Sequence, residues 1–330
     1  QLQPNANLSN TTPQAQTANP QALLAINQLR DLHIKVWIAL IIGYCDLSTD
    51  SFAIAVFYTT PGMTHLGHLN VGYILFNLLL QLIIVWAQTK SLSRYKRLRE
   101  ALYVLTFIKP AIDAHRFVTD APQNPDALFS NMLEFLFGKM SELFAEAIPC
   151  GLNQTSAWIE SETKSTLMFV SILVSALSVG YGAAMASYNW DTSPEKRKVR
   201  KWFYGYYPDE GRNTVLCLQT IQSSSQFLQV CVTLSFFYSV NSSYPFLFYG
   251  SSFVFFLLYK IIRGDFRYFL RLEGASSWAI SFLYRVIVKT VADFTGLPQF
   301  RHPYEMGGLG FMLNKVRISL IVYVNLIYSR

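Results

Sequence analysis

Residues 68 to 88, HLNVGYILFNLLLQLIIVWAQ, run for 21 positions without an aspartate, glutamate, lysine or arginine. An α-helix rises about 1.5 Å per residue, so a run of this length covers a hydrocarbon core of roughly 30 Å. Comparable apolar runs occur at least five times in the 330 residues, more than a water-soluble domain can bury. Composition agrees, with 52% hydrophobic residues against 14% charged, and 25 Phe beside 19 Tyr. The runs are continuous rather than alternating, which points to helices and not to barrel strands. The expected fold class is all-α, a polytopic transmembrane helix bundle, and the expected location is a membrane crossed several times.

The net charge of +7 would suggest nucleic acid in a soluble chain. Here the bases gather beside apolar runs: Lys90, Arg94, Lys96, Arg97 and Arg99 in one cluster, and Lys196, Arg197, Lys198, Arg200 and Lys201 in another. The positive-inside bias puts both clusters on the cytoplasmic side, within reach of anionic lipid headgroups, and no nucleic-acid partner is expected.

Along the chain, a polar segment over 1–30 precedes a transmembrane half over 31–190, a basic and aromatic linker over 191–212, and a second transmembrane half over 213–330. The first 20 residues lack the apolar core of a cleavable signal peptide and are expected to be disordered. Spans are expected at 36–58, 68–88, 165–188, 213–239, 244–262 and 311–329. A segment over 131–159 contains Pro149, which should kink or break its helix. Two segments, near 101–118 and 275–295, are too short and too charged for ordinary spans and read as half-membrane or interfacial helices. They share a pattern, IKPAID at 108–113 and VKTVAD at 288–293, at matching places in the two halves. That placement predicts an internal repeat.

Residues four apart share one face of a helix, so Asp46 with Asp50, Glu142 with Glu146, Lys109 with Asp113, and Lys289 with Asp293 form one-sided polar patches. A charge at mid-helix costs about 2.5 to 3.5 kcal/mol on insertion scales, so each needs an opposite charge, a wet cleft or a proton. On a structural reading, the acids of the first span pair with Lys109 or Arg116 and fix the helix arrangement. On a functional one, the set Asp46, Asp50, Lys109, Asp113, Arg116, Glu142, Glu146, Lys289 and Asp293 lines a hydrophilic track. No nucleotide loop, nucleophile elbow or HExxH pattern occurs, so no enzyme, cofactor or metal is expected. Cys45, Cys150, Cys217 and Cys231 lack CxxC spacing and read as small packing residues.

The segments DLSTDSFAIAVFY, LYVLTFIKPAIDAHRF, ELFAEAIPCGLNQTSAWI and STLMFVSILVSALSVGYGAAMASY, in that order, resemble the XK-related family of membrane proteins. Asp46 and Asp50 match the family's paired acids, and Glu146 and Pro149 match its acid and proline. Cys150 stands where the family usually has glutamine, and Gln154 falls four residues later. The resemblance covers about residues 40–190; beyond 210 only the general plan aligns. The chain also resembles multi-span proteins of algae and other protists. The XK-related resemblance implies two similar halves, each with a half-membrane helix. For some members it implies calcium-independent phospholipid scrambling, silenced until a terminal tail is cut, and a single-span partner. No caspase-type site is evident in this sequence.

The leading expectation is therefore a phospholipid scramblase or lipid transporter that exchanges headgroup hydration for alternating charges, its partners being membrane lipids and a single-span or multi-subunit membrane protein. Two alternatives stand beside it. One is a channel or proton-coupled transporter using the acids as a relay, and the other is a structural subunit of a larger membrane assembly.

Overall fold

The computed structural model describes residues 20–89, 92–119, 121–122, 130–162, 164–192, 207–208, 210–263, 286–287 and 289–296. All regular structure among them is helical. The helices are α1 (Pro20–Thr59), α2 (Thr64–Gln88), α3 (Arg94–Leu105), α4 (Lys109–Val118) and α5 (Asn131–Glu142). A single π turn (Leu143–Ala147) leads into α6 (Ile148–Glu160), then α7 (Thr166–Thr192), α8 (Arg212–Val240) and α9 (Tyr244–Arg263). A further helical stretch covers 289–295. The expected span at 311–329, the second basic cluster and the first 19 residues lie outside the described residues.

Among the described residues, three helices are long and apolar enough to cross a membrane: Asp31–Thr59 within α1, Thr64–Gln88, and Thr166–Asn189 within α7. Their outward faces carry Trp37, Phe52, Leu75, Ile83 and Leu173, all exposed, as a lipid-facing surface requires. The chain is thus a membrane-embedded helical protein. Two expected spans differ. α8 has the length, 29 residues, but Gln219, Gln222, Ser223, Ser224, Ser225, Gln226 and Gln229 dilute its apolar character. The apolar part of α9 is the shorter stretch Tyr244–Leu258.

Local chemistry sets the breaks between elements. α1 stops at TTPG because Pro61 has no N–H to give and Gly62 takes φ +81°, a left-handed value natural only to glycine. The half-membrane helix expected near 101–118 is two helices, α3 and α4. Pro110 in the first turn of α4 disfavours helical continuation from α3, and Phe107 between them takes φ +58°. Pro149 does not break its helix. The π turn just before it widens the spiral, with Ile148 N–H bonding to Leu143 O five residues back, so the proline ring meets no carbonyl in an ordinary α ladder.

α7 is the central helix, packed against α8, α1 and α6. Its contact with α8 is backbone-close at Gly180, where an added Cβ would lie 2.1 Å from Ser224 Oγ and 2.7 Å from Thr220 O. One apolar core joins α5, α6, α7, α8 and residues 291–294 around Phe227 and Leu143; another joins α1, α4, α5 and α7 around Val36, Ala114 and Tyr181. These two cores enclose the polar groups described next.

Candidate functional site

α2 presents a row of amides to the protein interior. Asn70, Asn77, Gln81 and Gln88 are all buried, and their spacings of 7, 4 and 7 keep them on one face. From Asn70 to Gln88 the row rises about 27 Å along the helix, close to the depth of a hydrocarbon core. Each amide meets a partner: Asn153 Nδ2 donates to Asn70 Oδ1 (2.6 Å) and Asn77 Nδ2 to Glu146 Oε2 (2.5 Å). Gln81 Nε2 donates to Asn77 Oδ1 (3.1 Å), and Gln88 Nε2 to Glu134 Oε2 (3.2 Å).

The acids of the first span are buried but are not paired with Lys109 or Arg116, against the structural expectation. Ser175 of α7 donates to Asp46 at 2.6 Å, and Gln154 of α6 donates to Asp50 at 2.8 Å. The reason is placement. Lys109 and Arg116 are taken by nearer acids, whereas Asp46 and Asp50 face the α6–α7 side of α1. Gln154 supplies the amide that Cys150, one turn earlier, does not. Asp50 Oδ2 and Gln154 Oε1 have no hydrogen-bond partner.

Glu142 ends α5 and Glu146 lies within the π turn, and they find different partners, Lys139 at 2.8 Å for the first and Asn77 for the second. Both still line one cavity of about 30 Å³ with Asp46, Lys139, Asn77 and Gln81. Tyr44, Phe107 and Pro110 close it on the α4 side. Gly43 leaves room for the ends of the Lys139 and Glu142 side chains, since a Cβ there would lie 2.6 Å from Lys139 Nζ and 3.0 Å from Glu142 Oε1. A volume of about 30 Å³ has room for one or two waters.

At the α2 C-terminal end of the row the charges are paired. Lys109 Nζ bonds Asp113, lies 2.6 Å from Glu134 and 3.4 Å from Glu100. Arg116 grips Glu100 with two bonds, 2.5 and 3.0 Å, and lies 3.8 Å from Asp113. Burial of Glu100 works to raise its pKa, but the Arg116 guanidinium and the Lys109 ammonium prevail and hold it below the ordinary glutamate value. Glu100, Glu134 and Lys139, absent from the sequence-derived set, belong to this site.

Lys289 and Asp293 also pair with each other, as their spacing requires, but at a different place. They pack beside Ser252, Tyr249 and Phe256 of α9, with Gln226 of α8 on the Asp293 carbonyl. Of the basic residues, Arg94, Lys96 and Arg99 are exposed on α3, and Arg97 is half-buried. Lys90, Lys196, Arg197, Lys198, Arg200 and Lys201 lie outside the described residues. Cys150 and Cys231 are buried as packing residues, while Cys45 and Cys217 are exposed.

Arranged this way, the site can offer hydrogen bonds and both signs of charge across the thickness of a membrane. Neither a protein-family model nor a curated protein matches this chain, so the functional reading rests on the site's geometry.

Proposed function

We propose that the protein is a lipid transporter of the scramblase type, passing zwitterionic phospholipid headgroups along the polar row between α1, α2, α4 and α5. The observation that supports it is one cavity lined by both signs, Lys139 beside Asp46, Glu142 and Glu146, in the middle of an amide row about as deep as the bilayer core. Lys139 suits a headgroup phosphate, the carboxylates suit its ammonium, and the amides replace hydration at intermediate depths, which lowers the desolvation barrier. At about 30 Å³ the cavity is smaller than a headgroup, so this is a closed arrangement and transport needs α1 and α4 to part.

The resemblance to XK-related proteins is consistent with this reading. So is the recurrence of a Lys–Asp ion pair at i,i+4 on two short helices, Lys109–Asp113 and Lys289–Asp293, which supports the proposed two-halves plan. A second reading, a proton or cation pathway, is favoured by one observation: the cavity is water-sized and its carboxylates outnumber its lysine.

The test is dithionite bleaching of fluorescent phospholipid in proteoliposomes. Wild-type protein should expose inner-leaflet lipid, and Glu142→Gln/Glu146→Gln and Asp46→Asn variants that remain folded should slow it at least tenfold. Bleaching no greater than in protein-free vesicles would refute the lipid reading. A pH- or cation-dependent current in the same vesicles would then favour the second.

A further inference from the structure

α3 carries a face that nothing among the described residues covers. Tyr95, Leu98, Leu102 and Leu105 recur every three or four residues and are 74%, 60%, 49% and 52% exposed. Arg94, Lys96 and Arg99 are exposed beside and between them. The roll of the helix is fixed from behind, because Val104 is buried against Leu78 and Val85 of α2, and Glu100 is held by Arg116. The stripe of hydrocarbon therefore points outward with Arg94 and Arg99 beside it, while Lys96, four residues before Glu100, is exposed at the helix start on the side toward Glu100.

The chemistry of that face selects its occupant. An acidic protein or a nucleic acid would satisfy the cations and leave four large apolar side chains in water. A neutral zwitterionic bilayer would accept the apolar stripe but offers the cations phosphates already balanced by ammonium groups, with no net negative potential. An anionic lipid surface supplies acyl chains and phosphates or carboxylates at the depths where this helix needs each. α3 also begins six residues after the last residue of α2 and so lies near the end of a membrane-spanning helix.

Behind the face lies a route to the cavity. Two residues after Leu105, Phe107 holds a left-handed φ of +58°, costly for a residue with a Cβ, and it forms part of the cavity wall. Its carbonyl accepts the Tyr44 hydroxyl of α1 at 2.7 Å. Movement of α3 would act on this elbow.

We propose that α3 is a docking surface for anionic phospholipid, and that docking positions the Phe107 elbow against α1 and so sets how readily the cavity opens. The second half of this statement rests on the transport reading; the first does not. The test uses the full chain with Cys45 and Cys217 changed to serine and a bimane fluorophore on Leu98→Cys, in vesicles of phosphatidylcholine and phosphatidylserine. Brominated acyl chains on phosphatidylserine should quench the bimane at least twice as strongly as the same mole fraction of brominated phosphatidylcholine. Arg94→Gln/Lys96→Gln/Arg99→Gln should abolish that preference while quenching by both lipids persists through the apolar stripe. Equal quenching in the parent protein, or a preference that survives the triple substitution, overturns the docking surface. Lipid exchange should accelerate with phosphatidylserine content in the parent and not in the triple variant. A rate independent of phosphatidylserine overturns the link to the elbow. Absence of exchange in every mixture, with the quenching preference intact, refutes the transport reading and leaves the docking surface standing.

Discussion

Lys109→Met removes the ammonium that three buried carboxylates share, and its cost can be worked from the structure. Glu100, Lys109, Asp113 and Glu134 are 4%, 4%, 6% and 6% exposed, so water cannot take the place of the lost cation. Arg116 still serves Glu100 through two bonds and Asp113 at 3.8 Å, whereas Glu134 keeps the Gln88 amide at 3.2 Å. Breaking a buried pair by deleting one partner costs about 3–5 kcal/mol, chiefly the penalty of the abandoned charge. Lys109→Met should therefore lower the midpoint of thermal unfolding by on the order of 10 °C. The readout is the rate at which a thiol-reactive dye reaches Cys150 and Cys231, both buried in the folded protein, as detergent-solubilised samples are heated. If the abandoned Glu134 charge is the main penalty, Lys109→Met/Glu134→Gln should be more stable than Lys109→Met by about 1–2 kcal/mol. A midpoint within 2 °C of wild type for Lys109→Met, or a double variant no better than the single, would refute the reasoning.

Gly180→Ala should cost about 1–3 kcal/mol in the same thermal assay, because two of the atoms its Cβ would meet, Ser224 N and Thr220 O at 2.7 Å, are backbone and force α7 from α8. Ser224→Gly, which clears only the 2.1 Å contact with Oγ, should not restore it. Phe107→Gly should be more stable than Phe107→Ala by about 1 kcal/mol, since both lose the ring but only glycine accepts φ +58° without strain. Glu100 has its folded pKa lowered, so its stabilising contribution is complete at neutral pH and is lost as the pH falls below the ordinary value of 4.5 and through the folded one. The midpoint gap between wild type and Glu100→Gln should thus hold from pH 7 to 5 and close on further acidification.

The spans α1, α2 and α7 were legible because a continuous apolar run needs no tertiary information to be read as a membrane helix. The i,i+4 pairs Lys109–Asp113 and Lys289–Asp293 were legible for the same reason, being local to one helix. The partners of Asp46 and Asp50 were not. Whether an acid meets Lys109, 63 residues from Asp46, or Ser175, 129 residues away, is decided by which side of α1 faces which helix. The amides of α2 escape notice for a different reason: Asn and Gln carry no formal charge and barely dent the hydropathy of the leucines around them, although their spacing marks one face. Pro149 announced a kink or a break, and what the fold builds there is a π turn, from which Glu146 accepts a hydrogen bond from Asn77.

The distribution of charge along the row indicates where the bundle can open. Lys109, Asp113, Glu134, Arg116 and Glu100 tie α3, α4 and α5 into one block, and pulling any member away strands a buried ion at about 3–5 kcal/mol. On the other side, α1 is fastened to α6 and α7 by Asp46, Asp50 and their serine and glutamine donors, with Tyr181 Oη bonding Lys35 O as well. Between these two units, across the cavity, runs the Tyr44–Phe107 hydrogen bond, worth about 1 kcal/mol net, with apolar packing of Val36 and Ala39 near Ala114 below it. Among the described residues, parting there breaks no ion pair. It would bring Lys139, Glu142, Glu146 and Asp46 to the opening together, so the seam between α1 and α4, held by one hydrogen bond and apolar packing, is also one behind which both signs of charge are stored.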